Sequence, residues 1–118
     1  MSITREDLDA GRVDFSDLIE PGAAPLAPVH PGAILRDWME EDGLSANALG
    51  KALKVPHNRI TAILAGTRAV SAETALRLAR YFRTSPDLWI GLQASYDRDI
   101  AQRTHGERIT REVQPRAA

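Results

Sequence analysis

The connection that follows Leu53 is only about three residues long, and it joins two apolar segments that both have helical spacing. The first segment, residues 44–54, carries Gly50 at its middle, where glycine costs about 1 kcal/mol relative to alanine. The second follows Pro56, and proline is favoured at the first turn of a helix. So short a connection forces the second helix to cross the first steeply. A glycine at the crossing then lets the two backbones approach.

Three further segments between residues 30 and 100 carry helix signals. The run "HPGAILRDWMEEDG" opens at Pro31 and closes at Gly43. Ser45 is the N-cap candidate for the segment 44–54, and Ser71 and Ser85 are N-cap residues for "SAETALRLARYF" and "SPDLWIGLQASYDRDIAQ". Since no segment of strand period competes over this range, the sequence predicts an all-α domain of five helices.

Length and composition place these helices in one domain with a tail at each end. The 118 residues contain no cysteine, which excludes disulfides, thiolate metal sites and cysteine nucleophiles. We find no signal peptide and no apolar run of about 20 residues, so we expect a cytoplasmic protein. We divide the chain into an acidic leader with a proline-rich linker (1–28), a helical domain (29–100) and a short C-terminal tail (101–118).

The charges are distributed unevenly along the chain. Residues 1–30 contain two basic and six acidic residues, a net charge of −4. Residues 51–83 contain seven basic residues and one acidic residue, a net charge of +6. This asymmetry indicates an anionic partner for the central part, although charged runs are usually only solvated faces.

The polar start of the segment "VPHNRITAILAG" indicates what that partner is. In a helix-turn-helix the second helix projects its N-terminal residues into the DNA major groove. Asn pairs with adenine and Arg with guanine, so we assign base reading to His57, Asn58, Arg59 and Thr61. The alternative is that these side chains only cap the helix. Six flanking residues are assigned to phosphates: Ser45, Asn47, Lys51, Lys54, Thr67 and Arg68.

The runs "HPGAIL", "VPHNRITAILAGTRAVSAETALRLARYF" and "TSPDLWIGLQASYD" together resemble the HigA-type antitoxins of the Xre family, within the lambda-repressor-like proteins. The resemblance implies a compact five-helix fold and a DNA-binding autorepressor. It also implies a HigB-like partner toxin, an mRNA-cleaving ribonuclease. Lys54 stands where the family usually has glycine, and a left-handed residue there costs about 1–2 kcal/mol, so the turn is expected to differ slightly. Ala46 and Ala62 are shorter than the family's usual residues.

Two regions are candidates for protein partners. Leu88, Trp89, Leu92 and Tyr96 share one helical face, where the resemblance places a homodimer contact. The alternative is that Trp89 fills the core of the monomer. In the leader, a toxin-binding arm would use Leu8, Phe15, Leu18 and Ile19, and the alternative is a solubilising tail.

No catalytic motif is present, and we expect neither an enzyme nor a metal or other cofactor. His30, His57 and His105 are spread along the chain without obvious partners. Two other functions stay open: a stand-alone repressor without a toxin, and a protein-interaction adaptor that has lost DNA binding. The segment "ERITREVQPRAA" fits a strand or a helix, and Pro115 ends either.

Overall fold

The computed structural model describes residues 27–117 and confirms the prediction of an all-α domain. Its five helices are α1 (Pro31–Glu41), α2 (Ala46–Leu53), α3 (His57–Leu64), α4 (Ala72–Phe82) and α5 (Pro86–Glu112). No strand occurs between residues 27 and 117. The predicted leader, apart from its last two residues, lies outside this range.

Side-chain caps fix where the helices begin. Ser45, Ser71 and Ser85 are the N-caps of α2, α4 and α5, as the sequence predicts, and each accepts a hydrogen bond from a backbone amide of the first turn. His30 caps α1 in the same way, because its Nδ1 accepts from the Gly32 amide at 2.9 Å. This fourth cap was not predicted.

An aromatic cluster joins α1, α4 and α5 at the centre of the core. The Trp38 ring centroid lies 5.3 Å from that of Phe82 and 5.1 Å from that of Trp89, both in edge-to-face geometry. Such pairs add about 0.5–1.5 kcal/mol beyond the burial of their area. Aliphatic residues from α1 to α4 complete the core: Leu35, Leu49, Leu53, Ile60, Ile63 and Leu78.

Two glycines let helices meet at backbone distance. A Cβ on Gly50 would lie 3.0 Å from the Val55 carbonyl oxygen and 3.1 Å from the His57 Cα, which confirms the predicted close crossing of α2 and α3. A Cβ on Gly32 would collide with the Ile63 carbonyl oxygen. The first turn of α1 is therefore in backbone contact with the last turn of α3, and this contact fixes the position of α3.

The turn between α2 and α3 keeps a left-handed residue although no glycine is present. Lys54 is the C-cap of α2 with φ 61° and ψ 42°. Arg83, the C-cap of α4, has the same conformation with φ 61°. The fold thus retains strain of about 1–2 kcal/mol at each of two basic residues. The expectation of an altered turn at Lys54 finds no support in this geometry.

Helix α5 is longer than predicted. The expected end near Gln102 is wrong, because the helix continues to Glu112 and the chain turns extended at Val113, two residues before Pro115. Of the two alternatives for the segment 107–118, the structure shows the helix. Its 27 residues span about 40 Å, and none after Gln93 is fully buried. The distal half of α5 therefore projects from the globular body.

Candidate nucleic-acid interface

Helix α3 turns a polar side to solvent. His57, Asn58 and Thr61 are exposed, whereas Ile60 and Ile63 on the other side are completely buried. The Thr61 Oγ1 donates to the Asn58 carbonyl oxygen at 3.1 Å and still has lone pairs directed outward. Three of the four predicted base-reading residues are thus brought together on one accessible surface.

Arg59 occupies a different position from its neighbours. Its Nη1 lies 3.1 Å from the Glu73 Oε1 in the first turn of α4, and only 23 % of its side chain is exposed. Among the residues that the structure describes, no acceptor reaches its buried Nε. The guanidinium therefore packs between α3 and α4, and it does not stand beside Asn58 on the outer surface.

Glu73 connects three helices through two arginines. Its Oε1 also lies 3.4 Å from the Arg77 Nε, and the Arg77 Nη1 donates to the Leu53 carbonyl oxygen at 2.9 Å. The Arg59 hydrogen bond, followed by the charge of Arg77, lowers the pKa of the Glu73 carboxyl. This network fastens the end of α2 and the start of α3 to α4. The network is not visible in the sequence, since the residues that it joins lie 14 and 24 positions apart.

The six predicted phosphate-contacting residues are all exposed, and they lie on α2, at its two caps or on the loop after α3. Two of them already use their hydroxyl groups within the protein. Ser45 Oγ accepts from the Ala48 amide at 3.1 Å, and Thr67 Oγ1 donates to the Ala62 carbonyl oxygen at 3.2 Å. Within residues 27–117, no carboxylate pairs with Lys51, Lys54 or Arg68. The borders of α3 are consequently cationic, as contact with a polyanion requires.

Arg36 and Gln93, which were not identified from the sequence, hold the C-terminal end of α3 and the loop that follows it. The Arg36 Nη2 donates to the Leu64 carbonyl oxygen at 3.3 Å, and Gly66 closes the helix with φ 78°. The buried Gln93 accepts from the Val70 amide at 2.8 Å and donates to Asp97 at 2.9 Å, which ties the following loop to α5. Thr67 and Arg68 are thereby set in a fixed loop.

His30 lies behind this loop. Its ring centroid is 4.9 Å from that of Tyr96. Burial lowers the pKa of its imidazole, and the backbone of Arg68 and the charge of Asp97 oppose the shift only in part. The neutral ring is the form that accepts the Gly32 amide hydrogen at Nδ1.

The predicted dimer face is divided by the fold. Trp89 is 0 % exposed and donates its Nε1 hydrogen to Thr84 at 3.2 Å, and Leu92 is also buried. Their side chains fill the core of the monomer, the alternative that the sequence left open. Leu88 and Tyr96 are half-buried and retain some surface. Exposed apolar side chains that the sequence analysis did not assign to this role are Ile90, Ile100 and Ile109.

The leader, metal binding and membrane-spanning helices were also considered in the sequence-based predictions. The predicted toxin-binding residues Leu8, Phe15, Leu18 and Ile19 lie outside the described residues. Within residues 27–117, no three His, Asp or Glu side chains come close enough to hold a metal ion. No helix in that range is long and apolar enough to cross a bilayer.

Comparisons with known proteins match the chain to a family of the same fold. Residues 32–89 match the helix-turn-helix domain family. The virulence-associated protein I of Dichelobacter nodosus is 42 % identical over 85 residues, which are 71 % of this chain and 79 % of that protein.

Two solved structures share the fold over most of the chain. An addiction module antidote protein of the HigA family from Coxiella burnetii is 47 % identical, with a TM-score of 0.74 over 77 % of this chain and all of that chain. The Pseudomonas aeruginosa antitoxin HigA, solved with the higBA promoter, is 40 % identical, with a TM-score of 0.75 over 76 % and 99 %.

Proposed function

This chain belongs to the helix-turn-helix family that includes the HigA antitoxins, and we propose on that premise that it is the antitoxin of a type II toxin–antitoxin module. It binds operator DNA as a dimer and represses its own operon. It also neutralises a HigB-like, mRNA-cleaving ribonuclease by direct binding.

The exposed polar side of α3 is the observation that supports DNA binding most strongly. Asn58 is the principal base reader, because its carboxamide is exposed and has the bidentate geometry that adenine N6 and N7 require. His57 and Thr61 contact neighbouring bases. Lys51, Lys54 and Arg68 bind phosphates on either side and set the register of α3 in the groove.

Arg59 has a revised role in this proposal. Because its guanidinium is held by Glu73, it orients α3 against α4 and does not read a base. Specificity then depends on fewer side chains than the sequence suggests. Ala46 and Ala62 add no hydrogen bonds to bases, since an alanine methyl offers only an apolar contact to a thymine methyl group.

Dimerisation places two copies of α3 on one side of the DNA. We assign the contact to α5, where Ile90 is exposed and Leu88 and Tyr96 keep part of their surface. A twofold pair of this kind would read half-sites about 34–36 Å apart. Placing a charge in the apolar contact, as in Ile90→Asp, is expected to give a monomer in analytical ultracentrifugation.

Binding to the chain's own promoter tests the repressor function. Fluorescence anisotropy with labelled promoter DNA should show affinity that falls steeply with salt, by a log–log slope of about −0.9 for each phosphate neutralised. A shuffled duplex of equal length is the control. Equal affinity for both duplexes at every salt concentration would exclude a sequence-specific repressor. Absence of binding to either duplex at low salt would favour the adaptor.

Neutralisation of a toxin requires a separate measurement. Expression of the adjacent small open reading frame should arrest growth, and co-expression of this chain should restore it. A neighbouring product that neither arrests growth nor co-purifies, together with intact promoter binding, would identify a stand-alone repressor.

A further inference from the structure

A basic and apolar groove runs along the exposed side of α4 and reaches the end of α2. Two adjoining cavities of about 460 and 400 Å³ share Leu76 and Arg80 in their walls. We use the name α4 groove for the surface formed by Lys54, Leu76, Arg77, Arg80, Tyr81 and Arg83.

The lining of the α4 groove combines exposed apolar surface with positive charge. Leu76 is 58 % exposed and Tyr81 is 41 % exposed, although both belong to a helix whose other face is the core. Neither cavity is lined by a carboxylate. Within the described part of the chain, Lys54, Arg80 and Arg83 have no ion-pair partner. The groove therefore suits a ligand with both carboxylates and apolar side chains.

Strain is concentrated at the same surface. The two non-glycine residues with positive φ among residues 27–117 are Lys54 and Arg83, and each lines one of the two cavities. Strained residues persist where the surrounding structure or a function requires them. Here the left-handed conformation places a long cation at each end of the groove.

We propose that the α4 groove binds residues 13–20 of the same chain. This segment, "VDFSDLIE", has three carboxylates, Asp14, Asp17 and Glu20, and no cation. Its apolar residues are Val13, Phe15, Leu18 and Ile19. The segment matches the groove in both respects, since its three carboxylates equal in number the three cations without an ion-pair partner among residues 27–117, and its apolar side chains suit Leu76 and Tyr81.

The intervening chain is long enough for this contact. Nine residues, 21–29, separate the segment from the His30 cap of α1, and nine extended residues span about 30 Å. The two shorter dimensions of the described structure are 28 and 25 Å. The segment can therefore reach α4 of its own chain.

Other occupants fit the groove less well. A DNA backbone supplies the negative charge but has no apolar groups for Leu76 and Tyr81. A ribonuclease toxin with a basic RNA-binding surface would be repelled by four cations. The docked segment also covers Lys54, a proposed phosphate contact, so docking and DNA binding compete.

Disulfide trapping in the full chain tests the contact directly, because the natural sequence has no cysteine. The pair Leu18→Cys and Leu76→Cys should form an intramolecular disulfide under a glutathione redox buffer. The matched control joins Leu18→Cys to Ile109→Cys, an apolar position on distal α5 that is 49 % exposed, against 58 % for Leu76. Equal yields for the two pairs, or a covalent dimer as the main product, would overturn docking within one chain.

Promoter binding provides the second readout. The variant Asp14→Asn/Asp17→Asn/Glu20→Gln should bind promoter DNA at least about twofold more tightly at low salt if half of the molecules are docked. This increase in promoter affinity should disappear when Arg80→Gln is combined with the three leader substitutions. An unchanged affinity would overturn the competition. The trapping result needs no DNA, so it stands even if promoter binding, and with it the proposed function, fails.

Discussion

The Arg59 guanidinium on the DNA-facing helix is hydrogen-bonded to the Glu73 carboxylate, with Nη1 and Oε1 3.1 Å apart. The contact links the first turn of α3 to the first turn of α4, and it leaves 23 % of the Arg59 side chain and 64 % of the Glu73 side chain exposed. Arg59, which the sequence predicts to contact a base, thus helps to hold α3 against α4.

We expect Glu73→Gln to lower promoter affinity and thermal stability at neutral pH, because Arg59 and Arg77 lose the charge that holds them. The folded-state pKa of Glu73 is lowered, so its contribution is present above the ordinary value of 4.5 and is lost as pH falls through the folded value. The melting temperatures of the wild-type protein and of Glu73→Gln should converge as the pH is lowered. A difference that stays constant down to pH 3 would show that the charge is not the cause.

Asn58→Ala and Lys51→Ala should weaken DNA binding in different ways. Loss of a bidentate base contact costs about 1–3 kcal/mol and relaxes specificity at one position, whereas loss of a phosphate contact weakens all sequences alike and reduces the salt slope by about 1. Anisotropy titrations against the promoter and single-base variants distinguish the two. Identical specificity profiles for both variants would contradict the assignment of Asn58.

Gly32→Ala should destabilise the protein by at least about 2 kcal/mol, because the new methyl group meets the Ile63 carbonyl oxygen, which belongs to the backbone and cannot rotate away. Gly106→Ala is the matched control. Its methyl group would meet only the flexible Gln102 side chain, so a gain of about 0.5–1 kcal/mol is expected. Urea denaturation measures both, and equal effects would refute the close contact.

Lys54→Gly should raise stability by about 0.5–1 kcal/mol, because relief of left-handed strain outweighs the entropy that glycine adds to the unfolded chain. The same variant should weaken promoter binding through loss of a cation. Arg83→Gly relieves equal strain at a residue outside the proposed DNA-contact set, so it should stabilise the protein without weakening DNA binding. Weakened binding in both variants would point to a general loss of charge.

His30→Asn should reduce the loss of stability on mild acidification. The folded-state pKa of His30 is lowered, so the unfolded chain takes up its proton first, and stability falls as pH drops below the ordinary value of 6.5. Asparagine keeps an N-cap acceptor without this titration. Urea midpoints at pH 7 and 5 measure the effect, and an equal loss in both proteins would place the titration elsewhere.

Local signals predicted most of the fold. Ser45, Ser71 and Ser85 mark helix starts because an N-cap acts within its own first turn. Gly50 indicates the crossing because a short connection leaves little other geometry. The end of α5 was missed because nothing between Gln102 and Val113 stops a helix except Gly106, which costs only about 1 kcal/mol.

The site was harder to predict because its support comes from distant residues. The sequence near Arg59 contains no sign of Glu73, whose position depends on how α4 packs. Trp89 was ambiguous for a related reason, since an aromatic residue on a helix suits a dimer contact as well as a core. In the folded chain, packing against Trp38 and Phe82 shows that Trp89 belongs to the core.

The central aromatic cluster determines what optical signal the protein can give. Both tryptophans of the protein, Trp38 and Trp89, lie within that cluster, where their side chains are almost completely buried. Intrinsic emission will therefore change when the chain melts and remain nearly constant when operator is added. Titrations that rely on tryptophan fluorescence would show no change even for a tight complex, so the DNA must carry a fluorescent dye.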